Sequence, residues 1–178
     1  LVLRSIPEEA TRAAMLKRGE ADIVYLVQGP IAEEIRRDPK LKLVPTDPAA
    51  PFWLEFPEQW DPKSPWHDKR VRLAASLALD RQALNQAETL GLSKLTGNFI
   101  PSGFEYALKV SPHAYDPKRA KELLAQAGYP GGFDAGELNP WPPYFSLGEA
   151  IGGYLQAVGI RTKMRTMERA AFIATWRE

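Results

Sequence analysis

The residues of this chain that could do chemistry are few and scattered. Its two histidines, His67 and His113, stand 46 positions apart, and neither belongs to an HExxH pattern or to a carboxylate cluster at metal-ligand spacing. Asp61 and Asp68 lie seven apart in a proline-containing loop, where two carboxylates could act as the acid and base of a hydrolase. Asp68 also stands where it would cap a helix, which explains it better. There is no G-x-S-x-G nucleophile turn, no Walker loop and no G-x-G-x-x-G. Gly131-Gly132, following Tyr129-Pro130, is turn chemistry and not a phosphate cradle. Cysteine is absent, so thiolate catalysis, disulfides and Cys-ligated zinc are all excluded. Enzyme is therefore the weaker class, and no metal or cofactor is expected.

The aromatic residues say more. Trp53, Phe56, Trp60 and Trp66 fall within 14 residues, and Trp141 and Tyr144 bracket a Trp-Pro-Pro-Tyr loop. Filling a core is the commoner use of such residues; lining an apolar pocket with a few polar groups is the functional one. Trp141 and Tyr144 sit outside any periodic element and are the better pocket candidates. A third reading makes the cluster around Trp60 a contact patch for another protein.

The elements that must position these residues follow from composition and period. A chain of 178 residues corresponds to roughly 1.2 domains. Its 44% hydrophobic and 25% charged residues are ordinary for a globular protein, and a formal charge of +1 gives no electrostatic footprint for nucleic acid. No apolar run approaches the ~20 residues a membrane-spanning helix needs. The first residue is Leu with no basic-then-apolar leader before it, so a leader was removed or the chain is a segment of something longer. The 16 prolines predict many fixed turns between short elements.

Leu1 to Ser5 reads as a strand, Pro7 opens a helix that Gly19 closes, and Ala21 to Val27 reads as a strand covered on both faces, a βαβ-like unit. A short helix follows from Ile31 to Arg37, then strands around Leu41 to Pro45 and Phe52 to Phe56. Between these two strands Pro45 to Pro51, with three prolines in seven residues, reads as a stiff connector. Asp68 and Asp80 cap successive helices, and Gly91 to Gly103 is an exposed loop. Asp116-Pro117 starts a helix ending at Gly128. Ser146 and Glu149 have capping-box spacing. Ile160 to Thr166 alternates as a half-buried strand with a basic face, and a helix runs from Glu168 to Glu178.

Several stretches together resemble one family. TRAAMLKRGEADIV, WHDKRVRLAASLALDRQAL, NFIPSG, YDPKRAKELLAQAGYPGGF and LQAVGI, in this order and spacing, are similar to the extracytoplasmic solute-binding proteins of family 5. Most specific are Asp68 to Arg72, Leu79-Asp80-Arg81, and Tyr115-Asp116-Pro117 leading to Ala127-Gly128-Tyr129-Pro130. The resemblance implies an α/β fold of the periplasmic binding protein-like type II. Residues 1–48 would be a partial first lobe, and residues 49–178 a second lobe incomplete at its C-terminal end.

It further implies a periplasmic, monomeric component of an ABC importer that binds a peptide, opine, sugar or metal complex and delivers it to permease subunits. No catalysis and no nucleic acid are implied. The ligand-binding residues expected on this basis are Trp141 and Tyr144, with Thr96 and Gly97 from the irregular loop, Trp53 near the crossing, and Gln28 from the first lobe. Two departures stand out. Relatives often carry Asn in the strand before Asp68, where this chain offers Glu55, and PEQWDPKSPW is longer than usual. The acidic residue that holds a peptide's ammonium in the peptide-binding branch lies in a later stretch, so it has no counterpart here.

Overall fold

A computed structural model describes residues 1–46, 51–101 and 103–177. Helices dominate: α1 (Glu9–Lys17), α2 (Gly29–Arg37), α3 (Lys69–Leu77), α4 (Arg81–Thr89), α5 (Pro117–Gln126), α6 (Phe145–Ala157) and α7 (Arg169–Arg177). Among the described residues the sheet is a single parallel pair, β1 (Phe133–Leu138) with β2 (Ile160–Met164). The chain packs into two compact units, Leu1–Asp47 with Ala83–Ser93, and Pro48–Gln82 with Lys94–Glu178. Of the expected connector, 47–50 lie outside the described residues.

In the first unit α1 and α2 bury Ala13, Ala32 and Ile35. Lys17 and Glu34 form an ion pair. The expected strands at 1–5 and 21–27 are absent, and Ile23 and Tyr25 are 87% and 65% exposed instead of covered. The physical reason is local. Leu26 adopts a left-handed φ of 55°, which breaks an extended run. The carbonyls a ladder would use are occupied as well, because the Arg12 guanidinium donates to the oxygens of Tyr25 (3.1 Å) and Leu26 (2.7 Å). The same side chain also donates to Ile6 O at 2.9 Å and Pro7 O at 2.7 Å.

The strands expected at 41–45 and 52–56 are likewise unpaired. In the latter, side chains are committed to ring contacts: Phe52 with Tyr144, Trp53 with Phe99, and Phe56 stacked on Trp66 at 4.3 Å.

The core of the second unit is a close helix pair. Val71, Ala74, Ala75 and Ala78 present a small-residue face from α3, and Ala120, Leu123 and Leu124 of α5 fill it; all are buried. Small against large lets the two backbones approach. The start signals behave as expected. Asp116 Oδ1 accepts from the Arg119 N–H at 2.8 Å, and Asp80 Oδ1 from the Gln82 N–H at 3.1 Å. The half-buried Arg81 donates to Ser76 O at 2.9 Å and Ser76 Oγ at 2.8 Å, tying the start of α4 to the end of α3. Helix α6 starts at Phe145, after Tyr144, so Ser146 falls in its first turn and is not the cap. Trp66 is buried, with its edge on Phe133 at 5.3 Å, so this part of the aromatic cluster is core.

Asp68 caps α3 and gives a pH-dependent prediction. Its Oδ1 accepts from the Arg70 N–H at 2.8 Å, and Arg70 Nη2 meets Oδ2 at 2.5 Å. The side-chain bond from Arg70, more than anything else, holds this carboxyl below the usual aspartate range. A carboxyl depressed in the folded state stabilises above its unfolded pKa, and the contribution disappears as pH falls through its folded value. Asp68→Ala is expected to cost about 1 kcal/mol at pH 7, with the deficit shrinking towards pH 3. Urea midpoints of both proteins at the two pH values check this; an equal deficit at both would show that the charge is irrelevant.

Candidate functional site

The carboxyl ends of β1 and β2 carry the residues that stand out chemically. The strands pair Phe133 with Ile160 and Leu138 with Met164. Between Asp134 and Glu137, β1 takes three steps against two on β2, from Arg161 to Lys163, which is a one-residue bulge. Gly136, at φ 73°, supplies the left-handed conformation the bulge requires. Just beyond β1 comes the loop 139–144, with a cis bond between Pro142 and Pro143. Backbone bonds fix it: Arg165 N–H to Leu138 O at 2.9 Å, Met167 N–H to Pro140 O at 3.3 Å, and Tyr144 N–H to Trp141 O at 2.9 Å. The Oδ1 of Asn139 is buried and accepts no hydrogen bond among the described residues, so it does not hold the loop.

This loop builds a cluster of rings. Trp141 meets Tyr144 edge-on at 5.4 Å, and Phe172 of α7 stacks on Trp141 at 5.8 Å. Phe52 presents its edge to Tyr144 at 4.8 Å. The guanidinium carbon of Arg169 lies 4.9 Å from the centroid of a Trp141 ring, a cation–π distance. Trp53, next to Phe52, packs on Phe99 at 4.8 Å, so the 52–53 pair bridges the loop containing Trp141 to the loop containing Phe99.

Among the expected binding residues, Trp141 and Tyr144 thus touch, and Trp53 connects through its neighbour Phe52. Thr96 and Gly97 lie in the loop of Phe99. Thr96 Oγ1 accepts from the Asn98 N–H at 3.0 Å, and the Gly97 N–H donates to Val110 O at 3.0 Å. Gln28 belongs to the first unit, where it precedes α2 and its backbone N–H donates to Glu9 Oε1 at 2.6 Å. Sequence reading misses Phe52, Arg169 and Phe172. Their signal is too weak to find alone, since isolated aromatics and arginines on short segments are everywhere in this chain.

The alternatives have less to work with. Asp61 Oδ1 accepts from the Lys63 N–H at 2.9 Å in a tight turn, and Asp68 is a cap; both carboxylates have local structural uses. Among the described residues no group of three or more His, Asp or Glu could hold a metal ion. Trp60 is 82% exposed. A depression of about 340 Å³, lined by Lys121, Tyr129, Gly131, Gln156 and Gly159 among others, lies at the amino ends of the strands. Ligands of parallel sheets gather at the carboxyl ends, which favours the ring cluster.

Comparison with known proteins gives a consistent result. The sequence profile of the bacterial extracellular solute-binding proteins, family 5 (middle), matches residues 1–178. Heme-binding protein A of Haemophilus influenzae is 28% identical over 97% of this chain and 32% of its own length. Glutathione-binding protein GsiB of Pectobacterium atrosepticum is 33% identical over 73% of this chain and 25% of its own. Among solved structures, the periplasmic binding protein DppA of Helicobacter pylori, in complex with the peptide STSA, superposes with a TM-score of 0.73. It is 31% identical to this chain, and the match covers 96% of this chain and 33% of DppA. The chain spans a third or less of the length of these relatives. No helix among the described residues is long and apolar enough to cross a membrane.

Proposed function

We propose that this chain, which belongs to the bacterial extracellular solute-binding proteins of family 5, supplies part of the solute-binding cleft of an ABC importer's periplasmic receptor. Its role is capture, not catalysis. A peptide-like or other small polar solute is gripped between the two lobes of the complete receptor and passed to membrane permease subunits. The observation that carries this reading is the ring cluster of Trp141 and Tyr144 at the carboxyl ends of β1 and β2. Flat apolar walls beside hydrogen-bonding loops are the usual make-up of a small-molecule site. The glutathione-binding and peptide-bound relatives support a peptide-like solute. Thr96, Gly97 and Trp53 contribute the neighbouring wall. Lobe closure is driven by contacts that the solute makes only in the closed state.

Native mass spectrometry of the intact protein, purified without denaturation, tests this. The expected result is a co-purified small molecule that denaturation releases. No adduct, together with an unchanged tryptophan emission across peptides, opines, sugars and metal complexes, would falsify the reading.

A further inference from the structure

Arg169 and Phe172 are three positions apart at the start of α7 and so share one helix face. Both meet Trp141: Phe172 stacks on it with 22° between the planes, and the Arg169 guanidinium carbon sits 4.9 Å from its ring centroid. Tyr144 braces the indole from the edge at 88°. The guanidinium is therefore held against a platform that two further rings fix in place.

A guanidinium in a cation–π contact keeps N–H donors that the ring does not engage. Arg169 is exposed, and among the described residues it forms no ion pair. Arg165, four residues earlier, differs in this respect, because Glu137 meets it at 3.0 Å. The cluster thus offers one cation that lies over an indole and whose charge no carboxylate of the described residues neutralises. A planar fork of donors matches a carboxylate bidentately, a geometry that a lysine ammonium does not reproduce.

We propose that Arg169, whose guanidinium lies over the Trp141 ring, is a specificity-determining residue that reads a carboxylate on the solute, with the Trp141 and Tyr144 rings taking the flat apolar portion beside it. This rests on the reading of the ring cluster as part of the solute site.

Benzoate and benzamide make a matched probe pair, the same ring with and without the anion. Each is titrated into the intact protein at constant ionic strength, following the tryptophan indole N–H resonances by NMR, with Trp141 assigned from a Trp141→Phe variant. Benzoate is expected to shift the Trp141 signal with an affinity at least fivefold above that of benzamide. Arg169→Gln removes that preference, Arg169→Lys keeps only part of it, and Arg161→Gln, whose side chain donates to Gly131 O at the other end of the strands, leaves it intact. No shift with benzoate, equal affinity for the two probes, or a preference that survives in Arg169→Gln each overturns the assignment.

Failure of the receptor reading looks different. In that case native mass spectrometry finds no captured solute, whatever benzoate does. A captured acid whose retention is unchanged in Arg169→Gln removes Arg169 and leaves the receptor reading standing.

Discussion

Gly132→Ala is expected to destabilise the second unit by about 3–5 kcal/mol, at the severe end of single substitutions. Gly132 has φ 74°, a conformation that alanine adopts only under strain. A Cβ added there would lie 1.9 Å from the carbonyl oxygen of Gly159 and 2.7 Å from its Cα. Both obstacles are backbone, so no side chain can rotate out of the way. The same carbonyl accepts the Phe133 N–H at 3.0 Å, the bond that starts the pairing of β1 with β2. Relieving the clash therefore means pulling apart the first rung of the sheet and the loops that follow from it. Urea unfolding monitored by far-UV circular dichroism checks this; a loss under about 1 kcal/mol would mean that the two backbones separate freely, and that the close approach does not determine the sheet.

Trp141→Ala is expected to weaken solute capture by about 30-fold, equivalent to about 2 kcal/mol, as truncation of a central aromatic anchor does. The indole is the ring on which Tyr144, Phe172 and Arg169 all converge, so its removal releases three partners at once. Trp60→Ala makes the control, because Trp60 is exposed and makes no ring contact with that cluster among the described residues. The solute identified by native mass spectrometry is titrated into both variants by calorimetry. Equal affinities in Trp141→Ala and the unmodified protein would take the loop 139–144 out of the site.

The helices of this protein are legible from local signals because helix ends are local events. Asp68, Asp80 and Asp116 each cap within three residues, and Pro117 or Gly128 marks a boundary through its own backbone preference. Family membership is legible for a related reason, since its signature runs through those same capped helices. Strands behave otherwise. Residues 21–27, rich in Ile, Val and Tyr, look more like a strand than anything else in the chain, yet Arg12 and a left-handed Leu26 take the backbone elsewhere. Residues 133–138, with Asp, Gly and Glu, look unlike a strand and form one through pairing with β2.

Sequence alone determined where the helices capped by Asp68, Asp80 and Asp116 start, that the catalytic motifs looked for do not occur, and that Trp141 and Tyr144 stand in an aperiodic loop. Tertiary structure alone decided which extended segments pair, and that Phe52, Phe172 and Arg169 join Trp141 and Tyr144. The physical reason is range. A cap or a turn is complete within a few residues, whereas a ladder or a ring cluster exists only when segments as far apart as 52 and 144 meet, and no local pattern encodes that meeting.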